Sequence, residues 1–467
     1  MSVQNDMVID NGTGAAVRAD LNLALQALAN NSSGSSAPST NYVSQFFANT
    51  STGIMQINNT SGNAFINLFT LAGGPAFAVD GTINSVNVGK GANSVSNNTV
   101  LGVNALDASV TGNNNTAIGN STLTENTSGA SNLAVGYNAL QLNTTGSNNV
   151  ALGPLALDAN TTADANTAVG RASLSANTTG GSNVGVGYNT LVSSETGNNN
   201  TAVGTDCLSS NTTGSNNVAL GSQALDANTT ASNNTVVGYQ AATTNTTGTL
   251  NVAVGYQALD TNSTGSNNVA VGSNTLDANT TASSNTAVGH QVLLSNTTGT
   301  QNVSVGALAL DANTTANNNT AVGYNSLGAN TTGQENTAMG MQALQDNTTA
   351  SNNTAFGNQA LRRNTTGSDN TAVGHNALDA NTEADNNTAV GKDALGVNTT
   401  GSNNTAIGHG CMDVNTTGNN NVAVGFQAMD NNTTGSLSTG IGYNALGAVT
   451  TADENTAVGS FCLSSNT

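Results

Sequence analysis

Three histidines, three cysteines and a recurring aspartate are the side chains of this sequence that could support a reaction or hold a metal. His290, His375 and His409 each follow a glycine directly, and the intervals between them are whole multiples of a period of 17. If this period marks a structural repeat that advances by one strand spacing per copy, these histidines lie roughly 24 and 10 Å apart. That is too far for them to share a metal ion. The same slot holds tyrosine, methionine, lysine or phenylalanine in other repeats. This variety favours an exposed or rim position over a ring of symmetry-related histidine ligands.

The cysteines share a second repeated slot, three residues after a glycine, where alanine is usual. Cys207, Cys411 and Cys462 occupy it. Cys411 and Cys462 are three repeats apart, about 14 Å at strand spacing, whereas a disulfide requires Cα atoms within about 7 Å of each other. We therefore expect small buried thiols in the place of alanine, without a metal or redox role.

Aspartate recurs directly after a periodic leucine, and this acidic column is the remaining candidate for metal binding. It comprises Asp107, Asp158, Asp226, Asp260, Asp277, Asp311, Asp379, Asp413 and Asp430. Calcium-binding β-rolls use a glycine-rich nonapeptide that this sequence lacks, so we expect a solvated acidic edge, with structural calcium as the alternative. No Ser/His/Asp or Cys/His set stands out. The sequence therefore predicts a protein that is not an enzyme and needs no cofactor or metal.

A strict repeat positions all of these residues. Glycine recurs with a constant period of 17 from Gly102 to Gly459, twenty-two times, without an insertion or deletion. The consensus is N-[TV]-A-V-G-x-x-A-L-x-x-N-T-T-[GA]-x-x, and we number its positions 1 to 17, so that the periodic glycine is position 5. Representative members are the glycines Gly119, Gly136, Gly153, Gly323 and Gly374, with Asn319 and Asn370 at position 1 and Leu140 at position 9. So short and regular a period indicates one unit stacked on itself, a solenoid rather than a globule.

Positions 1 to 5 predict a strand, because they are short, rich in β-branched residues and bounded by glycine. Alternation places positions 2 and 4 on one face and positions 1 and 3 on the other. Position 4 is apolar in every copy, so we expect its face to form the core. The opposite alanine face carries no charge and is also expected to be buried. Leucine at position 9 predicts a second strand that returns across the roll and points inward.

Three features of the repeat predict how neighbouring turns are held together: the asparagine at position 1, the segment at positions 12 to 15, and the glycine at position 5. Asparagine at position 1, present in 21 of 22 copies, predicts a ladder of side-chain amides, with capping of the turn as the alternative. The segment N-T-T-[G/A] predicts a turn, and alanine at position 15 in seven copies indicates a need for small size more than for a positive φ. The invariant glycine at position 5 indicates a positive φ or the close approach of another backbone.

The core of one turn is thin, which predicts association between chains. Burying a leucine or a β-branched side chain contributes about 1.5–3 kcal/mol, whereas ordering the backbone of one whole repeat costs on the order of 17–34 kcal/mol. We expect the alanine face to pack on copies of itself around a symmetry axis, giving a homotrimer.

Charge and composition narrow the classes of function. The formal net charge is −19, which disfavours nucleic acid and anionic membranes as partners. No apolar run approaches the roughly 18 residues of a membrane span, and the N-terminus has no signal-peptide pattern. We expect synthesis in a cytoplasm and delivery to the outside by a route such as viral lysis.

The strand motif resembles the S/N-V-A-I-G head repeats of trimeric autotransporter adhesins. It occurs here as NTVLG at Asn98–Gly102 and as NTAIG at Asn115–Gly119 and Asn404–Gly408. The resemblance covers about four-fifths of the chain and implies a trimeric, left-handed parallel β-roll. The period of 17 is longer than is usual for those adhesins, which implies a larger turn. The stalk, membrane anchor and signal peptide of those adhesins have no counterpart in this sequence. This difference argues against anchoring to a bacterial surface.

The segment 1–85 is predicted to form a separate module. Residues 15–29 place Val17, Leu21, Leu25 and Leu28 near heptad spacing and predict a short helix, a candidate for a trimeric bundle. A Ser- and Gly-rich linker follows at 30–40, and residues 42–50, 53–58 and 64–71 predict three strands. This region resembles the N-terminal part of tail fibres from marine tailed phages, which implies attachment to a virion.

Together these features predict a homotrimeric viral fibre exposed on the virion, with an attachment module at 1–85 and a rod of 22 turns at 86–467, extending roughly 105 Å. The sequence stops inside a repeat, so we expect either a further tip or chaperone segment or a tip that has been removed. The expected partners are virion tail or capsid proteins and a host cell-surface glycan or protein. Candidate surface contacts are Tyr239, Tyr256, His290, Tyr324, His375 and His409. The alternatives are a bacterial adhesin head, a decoration fibre without a receptor, and an ice-binding solenoid that uses threonine ladders.

Overall fold

The fold was analysed in a computed structural model that describes residues 33–34, 46–51, 54–58, 65–70, 81–83 and 85–465. A small sheet near the N-terminus contains β1 (Ser33–Gly34), β2 (Phe46–Asn49), β3 (Ile54–Asn58) and β4 (Phe65–Thr70). The last three pair antiparallel in sequence order, and β1 pairs parallel with β2. These three antiparallel strands lie within the segments predicted as strands. The helix predicted at 15–29 lies outside the described residues.

The remaining described residues form one long ladder of strands. It starts with a hairpin of β5 (Gly81–Ile83) and β6 (Val86–Gly89), followed by a 3₁₀ turn at Ala92–Ser94. Twenty-two parallel strands follow: β7 (Thr99–Gly102), β8 (Thr116–Ile118), β9 (Leu133–Val135), β10 (Val150–Leu152), β11 (Thr167–Val169), β12 (Val184–Val186), β13 (Thr201–Val203), β14 (Val218–Leu220), β15 (Thr235–Val237), β16 (Val252–Val254), β17 (Val269–Val271), β18 (Thr286–Val288), β19 (Val303–Val305), β20 (Thr320–Val322), β21 (Thr337–Met339), β22 (Thr354–Phe356), β23 (Thr371–Val373), β24 (Thr388–Val390), β25 (Thr405–Ile407), β26 (Val422–Val424), β27 (Thr439–Ile441) and β28 (Thr456–Val458).

Each of these strands pairs with the equivalent strand of the neighbouring repeat. Val150 lies beside Thr167, for example, and Thr320 beside Thr337. The register does not shift between β7 and β28, because the repeat contains no insertion or deletion. The chain is therefore an all-β parallel solenoid with one repeat per turn, as the period predicted.

The first turn of the solenoid is covered by the residues that precede it. Strand β6 pairs antiparallel with β7, so the N-terminal edge of the ladder is not left open. The backbone N–H of Ala92 donates to the Leu106 carbonyl at 3.0 Å, and Asn93 Nδ2 donates to the Val110 carbonyl at 3.1 Å. These contacts place the 3₁₀ turn over the leucine core.

The strand faces are the reverse of the prediction. Alanine at position 3 points into the solenoid and is fully buried, as at Ala321, whereas Thr320 and Val322 beside it are only half-buried. The prediction that positions 2 and 4 form the core was wrong. So short a turn encloses a narrow interior in which position 3 faces the leucine of a neighbouring turn, as Gly185 faces Leu174. A small residue fits there, so the larger side chains of positions 2 and 4 point outward.

The predicted second strand is also absent, although its leucine points inward as expected. Positions 6 to 11 form a tight turn in which Asn138 and Leu140 adopt φ values of 55° and 51°. Their amides still bond between turns: Leu140 N–H donates to the Ala156 carbonyl at 3.0 Å and Asn138 N–H to the Asn120 carbonyl at 3.0 Å. The left-handed conformation costs roughly 1–2 kcal/mol per residue, and the buried leucine and the inter-turn bonds offset that cost.

Candidate functional site

The periodic glycine meets both conditions expected from its invariance. Gly323 has a φ of 134°, and a β-carbon on it would lie 2.5 Å from the carbonyl oxygen of Gly340 in the next turn. A side chain at position 5 would therefore be strained by its own backbone and would strike the neighbouring turn. Position 15 is buried and its glycines have no positive φ, which agrees with its need for small size.

Two columns of buried asparagine join the turns. At position 1, Asn319 donates its backbone N–H to Asn302 Oδ1 at 3.0 Å and its Nδ2 to the Gly333 carbonyl at 2.9 Å. This asparagine therefore bonds between turns and also closes its own turn. At position 12, Asn330 donates Nδ2 to Asn313 Oδ1 at 3.1 Å and to the Gly333 carbonyl at 3.0 Å.

The ladder of side-chain amides is thus most regular at position 12, which the sequence reasoning treated only as a turn residue. Position 12 is asparagine in 19 of 22 copies. That frequency was the signal available in the sequence. Threonine at position 13 extends the same pattern, since Thr144 Oγ1 donates to the Thr161 carbonyl at 2.9 Å.

The candidate surface contacts lie in one column at position 6, with one residue per turn. Tyr239, Tyr256 and Tyr324 are each about half exposed, at 49%, 50% and 50%, and the three histidines are also exposed: His290, His375 and His409. The strict period brings these six residues onto one edge of the rod. Of the six, Tyr239 and Tyr256 occupy successive turns and stack, with ring centroids 5.9 Å apart. Their role as contacts stays a prediction.

The same column contains residues that the sequence reasoning did not select. Arg171 lies over the ring of Tyr188, 5.5 Å from its centroid, and donates to the Tyr188 hydroxyl at 3.2 Å. Near the other end, His409, Phe426 and Tyr443 form a stack with centroid distances of 5.3 and 5.5 Å and interplanar angles of 8° and 5°. The aromatic and basic character of position 6 was readable in the sequence, but the stacking depends on the distance between turns.

The aspartates at position 10 are partly buried except for the exposed Asp107. Burial raises the pKa of Asp158, Asp277, Asp311, Asp413 and Asp430. The charge of Asp260 in the preceding turn raises the pKa of Asp277 further. Among residues 85–465 and the shorter described segments, no group of three or more His, Cys, Asp or Glu side chains is arranged to hold a metal.

The cysteines occupy the alanine slot as expected. Cys207 and Cys411 are fully buried and free, and Cys462 is half-buried and free. Burial raises the pKa of Cys207 and of Cys411 to about 12, because the apolar interior disfavours the thiolate. The two buried thiols each donate to a strand carbonyl, of Ala219 and Ala423 respectively, at 3.2 Å.

None of the helical residues in the described part of the chain forms a segment long and apolar enough to cross a membrane. Comparisons with protein families, with curated proteins and with solved structures found no match to this chain.

Proposed function

We propose that this chain is a structural fibre protein whose task is mechanical extension and display. The observation that carries the proposal is the unbroken ladder of 22 parallel strands in constant register. At one strand spacing per turn, such a rod extends roughly 105 Å. Each turn contacts only its neighbours, so its length is set by the number of repeats. The proposal assigns the chain no catalytic activity and no cofactor.

We further propose a homotrimer, but with a different interface from the one first expected. The alanine face is closed inside each solenoid, so it is not available to another chain. The outward face at positions 2 and 4 carries threonine or apolar residues with no charged residue in any turn. Its larger members are well exposed, with Leu152 at 45%, Phe356 at 54% and Ile407 at 41%.

This outward strip supports association because it is continuous along the rod. Monomeric soluble proteins rarely expose contiguous apolar patches above a few hundred Å². A closed ring of three chains would cover all three strips around one axis and leave no strip exposed. This arrangement keeps the trimer implied by the adhesin resemblance and places the outward strand face at its centre.

Light scattering on the full chain tests the assembly. A mass near three times 46.1 kDa is expected. Val322→Asp with Val373→Asp should reduce that mass to one chain, because both charges would be buried in the interface. Thr332→Asp with Thr366→Asp adds the same charge at exposed position 14 and should leave the trimer intact. A wild-type mass of one chain would rule the trimer out.

We also propose that the fibre is carried on a virion and attaches it to a host cell through a surface glycan or protein. The N-terminal resemblance to phage tail fibres supports this role. Antibodies against the rod should label projecting fibres on purified viral particles. Labelling of intact bacterial cells without viral particles would instead support the bacterial adhesin alternative. Labelled particles that bind cells equally well after the rod is masked would indicate a decoration fibre.

A further inference from the structure

One exposed column differs in charge from every other exposed column of the rod. Of the 25 acidic residues in the chain, 21 follow residue 97, and none of these is at position 6. Those acidic residues lie at positions 7, 10, 11, 13, 14, 16 and 17, and the outward strand positions 2 and 4 hold no charged residue. Position 6 instead carries all three histidines, one arginine and one lysine. On a chain with a net charge of −19, this column, the position-6 edge, is the surface best suited to an anionic ligand.

The geometry of the aromatic side chains adds to this character. His409, Phe426 and Tyr443 stack with nearly parallel planes, so their faces cover each other and their edges point away from the rod. The edge of an aromatic ring carries the positive part of its quadrupole. A stacked column thus presents weakly positive ring edges and, at tyrosine, a hydroxyl donor.

The richest part of the edge runs through five successive turns, from His375 through Lys392, His409 and Phe426 to Tyr443. Lys392 Nζ lies 3.1 Å from Asp393 Oδ2, which offsets part of its charge, but 56% of the lysine side chain stays exposed. Burial raises the pKa of Asp393, but hydrogen bonds from Lys392 and Asn376 and the charges of Lys392 and His375 outweigh burial and lower it. Lys392 therefore faces a carboxylate that is ionised at neutral pH.

We infer that the position-6 edge between His375 and Tyr443 binds an acidic polysaccharide, with the glycan chain extended along the rod. The inference rests on the proposed host attachment and names the chemistry of its ligand. A straight column one residue wide suits a linear polymer, and weak contacts repeated at each turn add up through avidity. Nucleic acid fits less well, because its dense phosphates require many cations and this part of the edge holds one lysine and two histidines.

Binding of the full-length chain to three immobilised polymers tests this inference: polygalacturonate, dextran sulfate and neutral dextran, all at low ionic strength. The wild type should bind the two acidic polymers and not dextran, and added salt should weaken that binding. The triple variant His375→Asn, Lys392→Gln and His409→Asn should bind about tenfold more weakly or worse. Arg363→Gln removes a cation from position 11, outside the edge, and should change binding by no more than about twofold.

The inference is overturned if dextran binds as well as the acidic polymers, if the triple variant and Arg363→Gln bind equally, or if the wild type retains none of the polymers. A host ligand that proves to be a protein with no acidic glycan would also overturn it. The mass and length of the triple variant are measured in parallel. An intact rod that binds no acidic polymer would leave the fibre proposal standing and remove only the glycan edge.

Discussion

Met429 occupies the space that a β-carbon on Gly440 would need. Such a carbon would lie 2.8 Å from Met429 Cγ and 3.3 Å from its Sδ. Position 3 is alanine in 17 of 22 turns and position 9 is leucine in 19 of 22, so a smaller residue here accompanies a longer one. The small residue at Gly440 therefore makes room for the longer side chain of Met429.

Gly440→Ala is expected to destabilise the turn by about 1–3 kcal/mol, because it overpacks the core against Met429. Amide hydrogen exchange in residues 438–454 should speed up accordingly. Adding Met429→Leu restores the common alanine–leucine pair and should recover most of the loss. If the single variant exchanges as slowly as the wild type, the packing argument fails.

Two glycines of one turn should respond differently to the same substitution. Gly408 has a φ of 140°, and its β-carbon would lie 2.3 Å from the Gly425 carbonyl oxygen, so Gly408→Ala should destabilise the turn by more than about 3 kcal/mol. Gly418→Ala places alanine at position 15, where seven other turns already carry it, and should cost less than about 1 kcal/mol.

Thermal unfolding and hydrogen exchange of both variants compare these costs. Gly418 also approaches the next turn closely, with a β-carbon position 2.4 Å from the Gly435 carbonyl oxygen. The turns that carry alanine show that this contact can relax, whereas position 5 is glycine in every turn. Equal losses in the two variants would mean that φ does not distinguish the positions.

The sequence predicted the period, the strands and the inward leucine because each follows from a residue type repeated at one spacing. It did not predict which strand face is buried. Alternation defines two faces, but the choice between them depends on the width of the closed turn, which no single repeat reveals. Ala321 and Val322 are both apolar, and only the narrow interior opposite leucine selects the alanine.

The prediction of a second strand was wrong for a different reason. Leucine seldom adopts a positive φ, so nothing in the residue type of Leu140 indicated a left-handed turn. The column of Tyr239, His290 and His375 was predictable, because a strict period places equal positions on one edge. The contacts within that column depend on the spacing between turns.

Restoring the asparagine ladder at its one internal serine should stabilise the rod. Asn177 Oδ1 and Ser194 Oγ are buried without a hydrogen-bond partner, and Asn211 Nδ2 bonds only to the Gly214 carbonyl. Ser194→Asn supplies a donor to Asn177 and an acceptor for Asn211, and should add about 1–2 kcal/mol. The reverse change in an intact part of the ladder, Asn330→Ser, should cost about 1–3 kcal/mol.

Hydrogen exchange in residues 183–216 reports the gain, and exchange in residues 319–352 reports the loss. A Ser194→Asn variant that is less stable than the wild type would show that the serine site cannot accommodate an amide.

The raised pKa of Asp277 makes its contribution to stability depend on pH. Its carboxyl holds a proton more tightly in the folded than in the unfolded chain, because of burial and of the charge on Asp260. The contribution is therefore fully present below the unfolded pKa, about 3.9, and is lost as pH rises through the folded pKa.

Asp277→Asn should stabilise the rod at pH 7, and its advantage should shrink toward pH 4. Asp107→Asn, in an exposed copy of the same slot, is the control. Urea unfolding across this pH range measures both, and an advantage for Asp277→Asn that is constant with pH would contradict the mechanism.

The buried thiols should be protected from reagents and should weaken the rod at high pH. Maleimide at pH 8 is expected to label Cys462 first and to reach Cys207 and Cys411 only after denaturation, because the thiolate is the reactive form.

Burial raises the pKa of both buried thiols to about 12, whereas an unfolded cysteine titrates near 8.5. The folded chain therefore holds protons that the unfolded chain releases, and stability falls as pH rises from about 8.5 to about 12. The double variant Cys207→Ala and Cys411→Ala places the common residue in both slots and should lose this part of the alkaline dependence. Labelling of Cys207 in the folded protein as fast as that of Cys462 would show that the solenoid opens there.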